Sequence, residues 1–186
     1  SSMTFYDRGE MLKKVALYLL ERKKKYYDLS YKTGATHADS WVDIEGGFGT
    51  FFTYSGLAKR MLPNTPFWVD GDTQKLGANG TFIGTHILTP SEGVSVQINA
   101  YNFPVWGMLE KLSTSLLAGV PSIVKPAISG SFLTNAVFQD MIESGILREG
   151  AIQLVCGEPG NILDYVQDGD SVLFTGSAST GKKLKS

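Results

Sequence analysis

From residue 94 to the end of the chain, short β-type runs alternate with segments of helical periodicity, and this alternation constrains the fold more than any other feature. The four runs are "VSVQINA", "PSIVKPA", "AIQLVCG" and "SVLFTGS". Residues 104–118 and 131–144 between them have the apolar spacing of helices, and a brief helix is expected at 162–166. Strands separated by helices are typical of βαβ units, so the sequence predicts an α/β fold whose parallel sheet is covered on both faces.

The part before residue 94 has a different texture. Residues 4–29 carry apolar side chains on one helical face, and 38–62 predict a second helical region that the pair Gly46-Gly47 interrupts. The segment 63–80 is rich in proline and glycine and is expected to be a surface connection. "TFIGTHILT" and "VSVQINA", joined by "PSEG", predict a β-hairpin over 81–98. The expected organisation is therefore a helical region 1–62, a loop 63–80, a hairpin 81–98 and an α/β unit 94–186.

Composition argues against several functions. Seventeen basic and eighteen acidic residues give a net charge of -1, which does not suit a nucleic-acid binder. No apolar run approaches the roughly 20 residues that cross a bilayer, so no membrane association is expected. Cys156 is the one cysteine, which excludes an internal disulfide and favours a reducing, cytoplasmic location. His37 and His86 have no partner at metal-ligand spacing, and we expect no metal site.

The stretch "FTGSASTGKK" nearly matches the phosphate-binding loop of nucleotide hydrolases, with Gly176, Gly181 and Lys182 in place. The residue that should supply a hydroxyl to Mg²⁺ is Lys183, which cannot do so, and this argues against a hydrolase. Two interpretations remain. The strand-to-helix turn could present N–H groups and hydroxyls to the pyrophosphate of a dinucleotide, or it could be a capped helix start without a ligand.

Three motifs together carry a resemblance to a known family. Asn102-Phe103-Pro104 comes after the first strand of the α/β unit, Lys125-Pro126 after the second, and "FTGSASTG" after the fourth. In this order and at these separations they resemble the aldehyde dehydrogenase superfamily. The segment "TGATHADSWVDIEGGFGTFFTYSGLAKRMLP" narrows the resemblance to the aldehyde dehydrogenase part of the phenylacetate-degradation bifunctional protein and to the semialdehyde dehydrogenase of benzoyl-CoA epoxidation.

The resemblance implies a Rossmann-like, partial dinucleotide-binding domain over 94–186, and it implies site residues. Asn102 matches the asparagine that stabilises the oxyanion formed when a thiolate attacks an aldehyde. From the residues alone, Asn102 could instead be a turn residue before Pro104, and Lys125 a solvated lysine at a strand end. The residues implied to bind the cofactor are Asn99, Ala100, Tyr101, Lys125, Ala127, Ile128, Gly157, Gly176, Ser177 and Thr180.

The resemblance also bears on the choice of cofactor. Members that prefer NAD commonly have an acid three residues after the matching lysine, where it binds the ribose hydroxyls. Ile128 occupies that place here. Because a carboxylate would repel a 2′-phosphate, its absence beside Lys125 predicts that NADP is accepted and preferred, with NAD possible.

The family's catalytic cysteine and glutamate match no residue of this chain. Cys156, on an apolar strand, is expected to be a core residue and not the nucleophile. The chain is therefore expected to be a fragment without activity of its own, from an enzyme that oxidises an aldehyde, most simply a CoA-linked semialdehyde of aromatic catabolism. The hairpin would match part of an oligomerisation arm, so a homo-oligomer is expected. The alternative function is a non-catalytic nucleotide-binding or interaction module, and Asp39, Trp41 and Asp43 are assigned to helix packing and capping.

Overall fold

A computed structural model describes residues 3–185, and its first part is a layer of three helices. These are α1 (Phe5–Leu20), α2 (Lys23–Ser30) and α3 (His37–Met61). Thr4 and Thr36 begin α1 and α3, and each accepts from the N–H of an aspartate three residues later while that aspartate accepts from the threonine N–H. The helix expected over 4–29 is thus two helices, and α3 runs without a break through Gly46-Gly47.

A two-stranded antiparallel ribbon comes next, and it corrects two expectations. Strand β1 (Trp68–Lys75) pairs with β2 (Ile83–Leu88), so the middle of the loop expected over 63–80 is a strand. The hairpin turn lies between β1 and β2 and not at "PSEG", as the sequence suggested for 81–98. Pro66 precedes this strand, and Gly80, with φ +65°, lies in the turn beyond it. Gly71, with φ +75°, lies inside the strand, where the register shifts between Asp70 and Gln74, so a glycine was misread here as a loop signal.

The second half is a four-stranded parallel sheet, as predicted. Its strands are β3 (Ser95–Ile98), β4 (Ser122–Lys125), β5 (Ile152–Leu154) and β6 (Ser171–Phe174), in the spatial order β5-β4-β3-β6. Helices α4 (Trp106–Ala118) and α5 (Ser131–Glu143) connect the first three strands, a 3₁₀ turn at Ile162–Tyr165 precedes β6, and α6 (Ala178–Lys185) comes after it. From β3 to β5 each new strand is added on one side of the sheet, and β6 is then added on the other side of β3. The order of strand addition therefore reverses between β3 and β6.

One face of this sheet is well covered, and the other, where Val96 and Lys125 are buried, is covered only in part. Gln97 lies on the covered face, where its side chain donates to Ser115 of α4. The residues before and after Gln97 in β3, and the residues that pair with them in β4 and β6, point to the opposite face. There Ile98, Ile123 and Phe174 are half-buried and Val172 is 42% exposed. Within residues 3–185 the expected cover of both faces is therefore incomplete, because a short 3₁₀ turn and no full helix connects β5 to β6.

The buried Arg8 joins the helical layer to the α/β unit. Its guanidinium donates to the carbonyls of Leu117 at 2.8 Å, Met3 at 3.1 Å and Pro66 at 3.2 Å. These bonds connect the start of α1 to the end of α4 and to the segment before β1. The helical layer and the sheet consequently share one hydrophobic core. No helix within residues 3–185 is long and apolar enough to cross a membrane.

Candidate functional site

The segments that the sequence analysis selected all lie at one edge of the parallel sheet. Residues 99–102 come after β3, 125–128 contain the last residue of β4 and the turn after it, Gly157 comes after β5, and 176–180 come after β6. Parallel strands present their carboxyl ends at the same edge, and the registers Ile98↔Lys125 and Ile98↔Phe174 place three of these ends at one level. Ligands of open α/β sheets bind at this edge, beside the reversal of strand order.

A cavity lies at this edge between the ends of β3 and β6 and the start of α4. Its volume is about 280 Å³. Asn102 is exposed and forms part of the wall, and its side chain makes no hydrogen bond within residues 3–185. The amide is therefore free to donate to a group in the cavity. The other lining residues are Val42, Ala100, Phe103, Trp106, Gly107, Glu110 and Thr175.

Helix α3 closes one side of this cavity through a small-residue contact with Trp106. A Cβ at Gly46 would overlap the six-membered ring of Trp106, approaching Cε3 to 2.6 Å, and a Cβ at Gly47 would lie 3.2 Å from its backbone N. The indole N–H donates to Glu110 at 3.1 Å and holds the ring in place. Gly46 and Gly47, which were expected to interrupt a helix, thus leave room for Trp106 to pack against α3.

Asp43, one turn before Gly46, caps the start of α4. Its Oδ1 accepts from the N–H of Trp106 at 2.8 Å and of Val105 at 3.1 Å, and α4 has no capping side chain of its own. The carboxyl group is almost fully buried, which raises its pKa to about 6, while the two backbone N–H donors act in the opposite direction. Capping was the expected role of Asp43, but it caps another helix and not its own. Asp39 caps α3 itself, whereas Trp41 is 55% exposed and packs little.

The residues just after β3 lie in three environments. The N–H of Asn99 donates to the carbonyl of Lys125 at 3.0 Å, and its side chain is buried beneath the first turn of α4, where neither amide atom has a partner within residues 3–185. Ala100 is half-buried in the cavity wall. Tyr101 is 72% exposed and lines a neighbouring open cleft with Asn102. The structure therefore directs Ala100 and Asn102 to the cavity but Asn99 away from it.

Lys125 ends β4 and is buried, with 5% of its surface exposed. Its ammonium donates to the carbonyl of Pro126 at 2.7 Å. The interpretation of Lys125 as a solvated strand-end lysine is therefore wrong. Ala127 is half-buried, and Ile128 is 54% exposed where the 3₁₀ turn begins, so a ligand at this edge could contact the Ile128 side chain.

The ends of β5 and β6 complete the edge. Gly157 has φ +94°, a conformation that favours glycine, and a Cβ there would meet no atom within 4 Å. Gly176 packs against the ring of Phe174, with 2.8 Å between an added Cβ and Cε2. The hydroxyl of Ser177 accepts from the N–H of Thr180 at 3.2 Å and lies 2.9 Å from its hydroxyl. Ser177 thus caps α6 through the N–H of Thr180, and both residues are exposed.

Cys156 lies just after β5 and is exposed, so the expectation that it belongs to the core is wrong. Within residues 3–185 no three histidine, cysteine, aspartate or glutamate side chains lie close enough together to hold a metal ion. The sequence analysis missed four residues of the cavity wall, which are Val42, Gly107, Glu110 and Thr175. It also missed Gly46, which packs against Trp106. The spacing Val42, Gly46 and Trp106, Glu110, four residues apart in each helix, was the available signal.

Comparison with known proteins decides the family. The family model described as "Aldehyde dehydrogenase family" matches residues 1–186. The chain belongs to the aldehyde dehydrogenase family. It is 37% identical over 185 residues to the 3,4-dehydroadipyl-CoA semialdehyde dehydrogenase of Aromatoleum evansii, covering 99% of this chain and 36% of that protein. It is 28% identical to the betaine aldehyde dehydrogenase of Bacillus subtilis, again covering 99% of this chain and 36% of that protein.

Solved structures of aldehyde dehydrogenases share this fold. PnpE in complex with nicotinamide adenine dinucleotide superposes with a TM-score of 0.83 at 25% identity, covering all of this chain and 37% of that one. A betaine aldehyde dehydrogenase mutant of Staphylococcus aureus in complex with NAD⁺ gives a TM-score of 0.79 at 26% identity, covering 98% and 35%. The chain therefore spans about a third of the length of the dehydrogenases it resembles, and the Rossmann-like fold is confirmed.

Proposed function

We propose that this chain is the cofactor-binding, N-terminal portion of an NAD(P)-dependent aldehyde dehydrogenase that oxidises an aldehyde to the carboxylic acid. The observation that carries the proposal is the shared edge. Asn102, Lys125 and Ser177 lie at the ends of three neighbouring parallel strands, and a cavity opens beside Asn102. Family membership supplies the chemistry: a nicotinamide cofactor, when bound, accepts a hydride from the substrate.

The exposed groups at the sheet edge suit a dinucleotide. The start of α6 is open to solvent and offers backbone N–H groups and the hydroxyls of Ser177 and Thr180, which suit a phosphate. Gly176 has no side chain, but the ring of Phe174 fills the space where a Cβ would be, so a phosphate could approach this backbone only from the side away from that ring. The ribose would lie near the end of β4, against Ala127 and Ile128, and the adenine near the Gly157 turn.

The absence of an acid at position 128 supports NADP as the preferred cofactor. We predict that Ile128→Asp, in the full-length protein, shifts the ratio of kcat/KM for NADP over NAD towards NAD by about tenfold or more, because a carboxylate repels the 2′-phosphate. Ile128→Asn is the matched control, with similar size and no charge, and should shift the ratio much less. Steady-state kinetics with both cofactors measure this. A wild-type enzyme that already turns over much faster with NAD would contradict the proposal.

The substrate is proposed to be a CoA-linked semialdehyde from aromatic catabolism, because the relative with 37% identity acts on 3,4-dehydroadipyl-CoA semialdehyde. The full-length protein should oxidise a CoA-thioester semialdehyde with a higher kcat/KM than betaine aldehyde. The reverse order would remove this assignment, and no aldehyde-dependent reduction of either cofactor would remove the dehydrogenase function altogether.

The isolated chain is proposed to be inactive. Cys156 lies just after β5, two strands from β3, so it is roughly 10 Å from the end of the strand that leads to Asn102. A thiol that far away is poorly placed to attack an aldehyde held by the Asn102 amide. Aldehyde-dependent formation of reduced cofactor by the pure 186-residue chain would contradict this. The single free cysteine also supports the proposal of a reducing, cytoplasmic location.

The β1–β2 ribbon is proposed to pair with a second copy of the full-length protein. Strand β1 is exposed along its whole length and β2 at every position except Gly84, and five large apolar side chains on the two strands are exposed. An exposed apolar strand edge is a template for pairing. Light scattering that gives a monomeric mass for the full-length protein would refute the pairing. The apolar residues are Trp68, Val69, Ile83, Ile87 and Leu88.

A further inference from the structure

We infer that Asp43 is a positioning residue for Asn102, acting through the start of α4. This inference rests on the proposed function, since it concerns the same cavity. Asp43 is on α3, outside the three strand-end motifs, and its carboxylate accepts from the N–H groups of Val105 and Trp106. These two residues come three and four positions after Asn102. The turn that contains Asn102 ends at Val105 and Trp106, and Asp43 fixes the position of that end.

The turn has few other restraints, which makes the Asp43 contact important. The hydroxyl of Thr134 donates to the carbonyl of Pro104 at 3.2 Å from the α5 side. The carbonyl of Phe103 accepts from the N–H of Gly107 at 2.8 Å inside the turn itself. The Asn102 side chain is exposed and makes no hydrogen bond within residues 3–185, so its direction depends on the backbone that Asp43 and Thr134 hold from opposite sides.

Burial of the Asp43 carboxyl group favours a role beyond ordinary packing. A buried carboxylate is costly unless it is hydrogen-bonded, and here both donors are backbone N–H groups at a helix start, where a negative charge is favoured. No arginine or lysine bonds to it among the described residues. Among the described residues, the negative charge of Asp43 therefore interacts mainly with the N-terminus of α4. Because displacing a reacting group by about 1 Å can cost 10²-fold in rate, small shifts of this terminus should be visible in kcat.

The test is a double-mutant cycle in the full-length enzyme with Asp43→Asn and Asn102→Ala. Asp43→Asn removes the negative charge from the start of α4, and its NH₂ group replaces the Oδ2 atom that also accepts from the Val105 N–H at 3.3 Å. We expect kcat to fall about 10- to 100-fold with the KM for cofactor unchanged. If Asp43 acts through Asn102, Asp43→Asn should have no further effect when Asn102 is already alanine. A full, additive loss in the Asn102→Ala background would overturn the inference.

Asp7→Asn is the matched control, because Asp7 also caps a helix start and is exposed on α1. It should change kcat less than twofold. If Asp43→Asn fails to fold, Asp43→Ser serves instead, since serine is smaller and keeps one oxygen acceptor. The same non-additivity with Asn102→Ala is expected for Asp43→Ser, and an additive loss overturns the inference there too.

Amide hydrogen exchange separates this inference from the proposed function. In the isolated chain, Asp43→Asn should speed exchange of the Val105 and Trp106 amides about tenfold or more relative to Asp7→Asn. Unchanged exchange would overturn the inference whatever the enzyme does. A wild-type protein without aldehyde oxidation would refute the proposed function and with it the catalytic part of the inference, even if the amides respond as expected.

Discussion

Gly46→Ala is expected to lower the free energy of unfolding by about 1–3 kcal/mol, because the new methyl group must displace the indole of Trp106. The ring cannot move freely, since its N–H donates to Glu110 and the Phe103 ring lies 6.5 Å from it, centroid to centroid. A Cβ at Gly46 would come within 2.6 Å of Trp106 Cε3, well inside van der Waals contact.

Gly49→Ala is the matched control for this change. It lies on the same helix, and a Cβ there would meet no atom within 4 Å. Removing a glycine from a helix interior at such a position should raise the free energy of unfolding by about 0.5–1 kcal/mol. Urea denaturation of the chain, monitored by circular dichroism, measures both variants. Equal stabilisation by the two alanines would show that Trp106 does not pack on Gly46 in solution.

The contact between Gly46 and Trp106 explains why the sequence alone wrongly predicted an interruption in α3. Gly46 and Gly47 weaken a helix when only local propensity is considered, and an interruption was the natural expectation. What overrides propensity is a contact with Trp106, 60 residues further along the chain. A single sequence does not reveal which distant aromatic group a glycine admits. The helix itself could be predicted, but the reason for its glycines could not.

Some strands could likewise be predicted from the local sequence pattern, and others could not. The parallel sheet could be predicted because buried strands and helices alternate at a regular spacing, and this prediction is confirmed. The pairing of β2 with β1 could not be predicted, because β1 is polar along much of its length and exposed throughout. Its pairing depends on the register Trp68↔Leu88, which no apolar pattern specifies.

For the site, the sequence motifs located the edge of the sheet but not the direction of each side chain. Lys125 and Asn99 are adjacent to the cavity in sequence, yet both are buried: the Asn99 side chain lies beneath the start of α4, and the Lys125 ammonium donates to the carbonyl of Pro126. Asp43 borders the same region and belongs to no strand-end motif, and Thr175, inside "FTGSASTG", was assigned no role. The family is confirmed, whereas the roles of the individual cofactor residues stay predictions that binding measurements must test.

Asn102→Ala is expected to lower kcat of the full-length dehydrogenase by about 10²–10³, which corresponds to about 2.7–4 kcal/mol of transition-state stabilisation. The amide N–H₂ is exposed at the cavity and unused by other residues, so it can donate to the charge that develops on the aldehyde oxygen. Asn102→Asp, of equal size but with a carboxylate, should be at least as damaging because it repels that charge.

The fold should tolerate the loss of Asn102, and this separates catalysis from stability. Since its side chain makes no hydrogen bond within residues 3–185, Asn102→Ala should change the free energy of unfolding by less than about 0.5 kcal/mol. Asn135→Ala on α5 is the matched control, because Asn135 only accepts from Gln139 on the same helix, and it should leave kcat unchanged. A loss of less than tenfold in kcat for Asn102→Ala would mean that the oxyanion is stabilised by other groups, and the cavity beside β3 would then lose its assignment as the reaction site.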